Sequence, residues 1–213
     1  MNTARPTVAA FDVDGTLTIR DCVRPFLEMV GGRSRIVSST LRRPAASAGA
    51  LIRRDRDRFK EIVVGGVMRG RLVRDVEASG DRFADMVHDR WLRGDMLQRL
   101  RWHQGAGHRT VLVSASLGNY LRPLARRLRV DDVLCTEALL DGDRYGDGLA
   151  GRNCRADEKQ RRLDLWLDEH GLIDAEVWAY GDSTGDRELL ARADHGFLVK
   201  GLRISPAPLE LNA

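Results

Sequence analysis

The sequence predicts an α/β protein, a doubly wound parallel sheet with a small helical subdomain inserted after its first strand. Three observations carry that expectation. Three short apolar runs, TVAAFDVD (7–14), RTVLVSAS (109–116) and AEVWAYGD (175–182), each end in small or acidic residues and then pass into a helical pattern. Nearly continuous apolar runs suit strands covered on both faces, as parallel strands are. The long interval between the first two runs has helical rather than strand periodicity, so it reads as an insertion.

Taken in chain order, TVAAFDVD is the first strand and turns on Gly15. In the insertion, Val37 and Leu41 begin an amphipathic pattern that Pro44 interrupts and Ala48, Leu51 and Ile52 resume. RRDRDRFKE (53–61) continues with charges three and four residues apart, the spacing of neighbours on a helix. Phe83, Met86, Val87 and Trp91 form the stripe of a core-facing helix. DMLQRLRWHQ (95–104) is a helix that GAG stops, and NYLRPLARRLRV (119–130) is the helix after the second strand. CTEALLDGDRYGDGLAG (135–151) reads as a hairpin with Asp-Gly turns. DEKQRRLDLWLDEHG (157–171) is amphipathic, with Leu163, Trp166 and Leu167 on one face and Gly171 at its end. The last residues, ISPAPLELNA, read as a loose tail. The expected division is a core of 1–18 and 91–213 around a helical subdomain of 19–90.

Composition narrows the function classes. The 213 residues are 43% hydrophobic and 31% charged, which suits a soluble protein with a substantial core. A net charge of +4 favours anionic ligands in general but is too small to argue for nucleic acid. Cys22, Cys135 and Cys154 are scattered and odd in number, which indicates neither a disulfide framework nor a zinc site. No signal-peptide core and no run of roughly twenty apolar residues is present, so a cytoplasmic location is expected.

The chemistry concentrates at the strand ends. Asp12 and Asp14 point to the same side of an extended segment, where their charges repel unless a cation gathers them. A second acidic pair, Asp182 and Asp186, lies in YGDSTGDREL at another strand end. Mg²⁺ suits a few carboxylate oxygens shared with water and phosphate. Ser114 offers a hydroxyl at a turn into a helix, and Lys159 a cation early in a helix. A carboxylate nucleophile, an acid/base carboxylate, a metal and two phosphate clamps make phosphoryl transfer the natural chemistry.

The ordered set DVDGT, VLVSAS, Lys159 and GDSTGD resembles the haloacid dehalogenase (HAD) superfamily of phosphohydrolases. The helical insertion and the NCRADEK context are similar to subfamily IB, the phosphoserine-phosphatase-like group with a helical cap. That resemblance implies a HAD/Rossmann-like core and Mg²⁺ as cofactor. It makes Asp12 the nucleophile, forming an aspartyl-phosphate, and Asp14 the acid and then the base. Asp12, the backbone carbonyl of Asp14, and Asp182 would hold the metal, with Asp186 orienting the lysine or the metal's waters. Ser114 and Lys159 would bind the phosphoryl group. Asp21 stands where phosphoserine phosphatases carry a Glu that holds the substrate amine, and DGT replaces their common DST.

The implied substrate is a small phosphorylated metabolite or a lipid head group, with no nucleic-acid partner. Three alternatives stay open: a phosphotransferase, a phospholipid-type phosphatase, and a non-catalytic basic module on the same scaffold. The commonplace readings are a solvated turn for the two aspartates, a strand-end cap for Ser114, and one surface cation among Arg155, Arg161 and Arg162 for Lys159. His103 and His108 flank the QGAG turn and read as ordinary loop residues. The arginines of the insertion, among them Arg42, Arg43, Arg53, Arg54, Arg56 and Arg58, read as a salt-bridged solvated face.

Overall fold

Five parallel strands form the main sheet, and the first in the chain is the middle one. The structure is a computed structural model that describes residues 5–42, 44–53, 55–199 and 201. Arg43, Arg54 and the tail ISPAPLELNA lie outside the described residues. The chain runs through β1 (Thr7–Phe11), α1 (Val23–Leu41), α2 (Pro44–Ile52), α3 (Arg56–Met68), α4 (Val73–Arg90) and α5 (Gly94–Gly105). Next come β2 (Arg109–Leu117), α6 (Gly118–Leu128), β3 (Asp132–Thr136), and a hairpin of β4 (Ala138–Asp141) and β5 (Arg144–Leu149). The chain then forms α7 (Asp157–Glu169), β6 (Glu176–Gly181), α8 (Arg187–Arg192) and β7 (His195–Leu198).

The sheet order is β3–β2–β1–β6–β7, so strand order reverses on the two sides of β1. Such a switch point is where open α/β sheets place their ligands. Period-two alternation divides the strands between two cores. Ala9, Phe11 and Leu112 join Leu121, Leu124 and Leu100 on one face. Val8, Ala10, Val111 and Val177 meet Leu163, Trp166 and Leu189 on the other. Burial on both faces explains the continuous apolar runs. The edge strands β3 and β7 were not expected. Most of their residues are only half-buried, and selection for apolar side chains is correspondingly weak there.

The insertion enters and leaves the core side by side. The Ile19 amide donates to the Trp91 carbonyl at 2.8 Å, the Arg93 amide to the Leu17 carbonyl at 2.9 Å, and Thr18 bridges Leu92. Within it, α1 packs on α3, while α4 lies along α6 of the core. The second contact is very close: a Cβ on Gly80 would stand 2.1 Å from the Asn119 carbonyl oxygen. The β4–β5 hairpin, turning at Gly142–Asp143, packs against α3.

Some charged residues of the insertion form the expected ion pairs, such as Arg58–Glu61 and Arg69–Asp147. His103 is not a loop residue. It sits fully buried in α5 against Phe11 and Tyr180, and its Nε2 lies 2.9 Å from the tyrosine hydroxyl.

Candidate active site

Strand register brings the acidic motifs together. Phe11 pairs with Leu112 on one side and Tyr180 on the other, so Asp12, Ser114 and Asp182 emerge at one edge of the sheet. The Asp12 amide is held by the Tyr180 carbonyl at 2.9 Å. Beyond it the chain makes a wide turn, Val13–Leu17, closed by the Thr18 amide on the Val13 carbonyl. Gly15 has φ +81°, and a Cβ there would lie 2.2 Å from Asp182 Oδ2. Only glycine meets both conditions. Buried Arg93, paired with Asp95, braces the turn through its bond to the Gly15 carbonyl.

Asp12 and Asp14 have different surroundings. Asp12 is buried, accepts from Lys159 Nζ at 2.5 Å on Oδ1, and accepts from the Thr16 hydroxyl at 3.2 Å on Oδ2. Burial pushes its carboxyl up to about 7, against the pull of Lys159 and with the push of Asp186 and Asp14. Asp14 accepts from the Cys22 amide at 2.9 Å and from the Ser116 hydroxyl at 2.5 Å. Burial, helped by Asp21, raises its carboxyl above the ordinary range, while the Ser116 and Cys22 bonds oppose the rise.

Lys159 reaches the site from the first turn of α7 with only 3% of its side chain exposed. It bridges Asp12 and Asp186 at 2.5 Å each. Burial pulls its ammonium down, but the two carboxylates outweigh that and hold it above an ordinary lysine. Asp186 spends its other oxygen on the Ser183 amide and hydroxyl, at 3.1 and 2.9 Å, which closes the turn after β6. It is therefore both a turn-capping residue and the second anchor of Lys159. Asp182 is part-buried, and burial with the charge of Asp186 raises its carboxyl. Ser114 is buried, and its Oγ accepts the Ser116 amide at 3.1 Å. Asp21 is exposed at the head of α1, with its carboxylate accepting the Val23 and Arg24 amides.

One oxygen each from Asp12, Asp182 and Asp186 lies within 4.8 Å of the others. Lys159 compensates part of this charge and leaves a negative excess, so the donor set fits a small divalent cation.

Several neighbours carry no sequence signal of their own. Ser116 orients Asp14 and itself accepts from the Tyr120 hydroxyl at 2.5 Å. Its place two residues after Ser114 was the available clue, although the strand's register shifts between Ser114 and Leu117. Lys60, from α3, donates to the Ala115 carbonyl and to Asn153 Oδ1 at 2.9 Å. Asn153 also donates to Asp57 at 2.6 Å and accepts from Thr136 at 2.7 Å, tying α3 to the core.

A model of the haloacid dehalogenase-like hydrolase family matches residues 9–191, which include all four motif regions. The chain belongs to this family. Protein CicA of Caulobacter vibrioides is 35% identical over 200 residues, covering 93% of this hydrolase and 86% of the relative. A solved protein of unknown function from Bordetella pertussis Tohama I is similar at TM-score 0.75 and 24% identity, over 90% of this chain and 89% of that one. A structure described as a phospho-aspartyl intermediate analogue of phosphoserine phosphatase is similar at TM-score 0.62 and 15% identity, over 90% and 85%. The hydrolase fold, with its phosphoserine-phosphatase-like architecture, is thereby shown. Among the described residues no helix is long and apolar enough to cross a membrane.

Proposed function

We propose that this hydrolase is a Mg²⁺-dependent phosphatase of small phosphomonoesters that works through an aspartyl-phosphate. The observation that carries the reading is the division of labour between two neighbouring carboxylates. Asp12 faces Lys159, whereas Asp14 is turned to Ser116 and Cys22. One is placed to meet phosphorus and the other to handle a proton.

In the first step an Asp12 oxygen attacks phosphorus and the bond to the leaving oxygen breaks. Asp14, protonated at that moment, gives its proton to the departing alkoxide. In the second step Asp14, now ionised, takes a proton from water as its oxygen attacks phosphorus. The Asp12–phosphorus bond breaks and inorganic phosphate leaves. Burial raises Asp14 in the direction this double duty requires. Lys159 and Ser114 would hold the phosphoryl oxygens. Asp12, Asp182 and the Asp14 backbone carbonyl would hold Mg²⁺, which when bound supplies positive charge to the transferring group. Asp186 fixes Lys159. Residues 19–90 would act as a cap, with Asp21 facing the leaving group from its base. The whole would operate in the cytoplasm.

The test is a panel of small phosphate esters assayed with and without Mg²⁺, with free phosphate as readout. Hydrolysis by the wild type and loss of roughly 10⁴-fold or more in Asp12→Asn are expected. Beryllium fluoride, an acyl-phosphate mimic, should inhibit. Full activity in EDTA-treated protein or in Asp12→Asn would reject the reading. An added acceptor alcohol that captured the phosphate would show a phosphotransferase instead.

A further inference from the structure

A cavity of about 330 Å³ opens beside Asp14 and Ala115 and extends between α1 and α3. Its walls are of two kinds. Val23, Leu27, Ile36, Phe59 and Val63 form an apolar side, and Lys60, Arg56 and Arg155 a cationic one that outnumbers the two carboxylates on the lining, Asp14 and Asp21. Among the described residues neither Arg56 nor Arg155 is ion-paired, so both keep charge for a ligand. Among the described residues Lys60 donates to a carbonyl and an amide oxygen and forms no ion pair, and the nearby charges of Asp14, Asp57 and Asp21 favour its ammonium against the cost of burial. Arg24, also on the wall, is already paired with Glu28. The apolar side does not end at the cavity. A second hollow, lined by Ala50, Leu51 and Asp55, shares Arg56 and Phe59 with the first, and Leu51 at its outer end is 62% exposed.

Such walls suit a small zwitterion poorly. An amino alcohol would leave the apolar side wetted, and its ammonium could meet Asp21 only beside a larger number of cations. We propose that the leaving alcohol is amphiphilic: it carries a second anionic group beside the phosphoester, facing Lys60, Arg56 and Arg155, and an apolar chain lying along Leu27, Ile36 and Phe59. This names the substrate class of the phosphatase proposed above and rests on that reading.

The test uses four monomeric esters with Mg²⁺: ethyl phosphate, octyl phosphate, 2-decyl phosphate and 2-phosphooxydecanoate. The last two differ only in a carboxylate replacing a methyl group. kcat/KM should rise at least about tenfold from ethyl to octyl, a few buried methylenes' worth. It should rise by about tenfold again from 2-decyl phosphate to the carboxylate ester. Lys60→Met should erase the carboxylate preference and keep the chain preference, and Ile36→Asp should do the reverse. Equal kcat/KM across the four esters overturns the inference while leaving the phosphatase intact. Binding of the same esters to Asp12→Asn protein separates the two readings. Chain-dependent Kd with no turnover by the wild type overturns the phosphatase and keeps the pocket's selectivity; chain-independent Kd overturns the latter. Offering the decanoate ester in phosphatidylcholine vesicles distinguishes the sources. Hydrolysis of the monomer alone names a soluble amphiphile, and faster hydrolysis from vesicles a bilayer one; each supports the proposed chemistry.

Discussion

Ser116 touches Asp14, the proposed acid/base carboxylate, and no proposed reacting atom, so its loss should show in chemistry rather than in binding. Ser116→Ala removes the 2.5 Å bond to Asp14 and strands the Tyr120 hydroxyl behind it. We expect kcat to fall roughly tenfold with KM nearly unchanged, and Ser116→Thr to restore most of it. A change confined to KM would mean that Ser116 serves the substrate directly. Asp182→Ala should raise the Mg²⁺ concentration for half-maximal activity by at least about tenfold, read by metal titration. An unchanged requirement would move the metal away from Asp182. The acidic pairs Asp12/Asp14 and Asp182/Asp186 were legible because each follows a strand, whereas Ser114 and Lys159 were singled out through the family resemblance. Lys60 and Asn153 were not, since their contact joins positions 93 residues apart and no local spacing announces it.

At helix contacts, small residues decide how closely elements approach. Gly80 lets α4 rest on the backbone of α6, where a Cβ would meet Asn119 O at 2.1 Å. Gly80→Val should lower stability by about 2 kcal/mol, measured by denaturant melts, because neither helix backbone can yield cheaply. Gly94→Ala, with nothing within 4 Å, is the matched control and should be near neutral. The link between α3 and the core is polar instead. Asn153 joins Lys60, Asp57 and Thr136, so Asn153→Leu should leave the sheet intact and speed amide exchange in α3. Unaltered exchange there would mean that apolar packing alone holds α3. The helical pattern of the insertion was readable from periodicity, but its partners were not. Val37 and Leu41 have core-like spacing and yet are 56% and 70% exposed. Periodicity reports a face and is silent on what covers it.

Acid should destabilise the whole protein through its interior. Burial, with His108 and Arg99 nearby, pulls His103 down to about 3. The unfolded chain takes up a proton below about pH 6.5 and the folded chain does not until near 3. Stability is therefore lost as pH falls through that window, by up to about 1.4 kcal/mol per unit from this group. His103→Gln should flatten the slope of melting temperature against pH between 6.5 and 4. A slope as steep as that of the wild type would locate the acid sensitivity elsewhere. The central β1 has another consequence, which belongs to synthesis. Its neighbours β2 and β6 begin only at Arg109 and Glu176. At ~5–20 residues per second, the nascent TVAAF segment waits roughly 5–20 s for its first partner and about twice that for its second. Ribosome-arrested chains ending before residue 170 should thus remain protease-sensitive at β1, and the insertion is the segment free to fold during the delay.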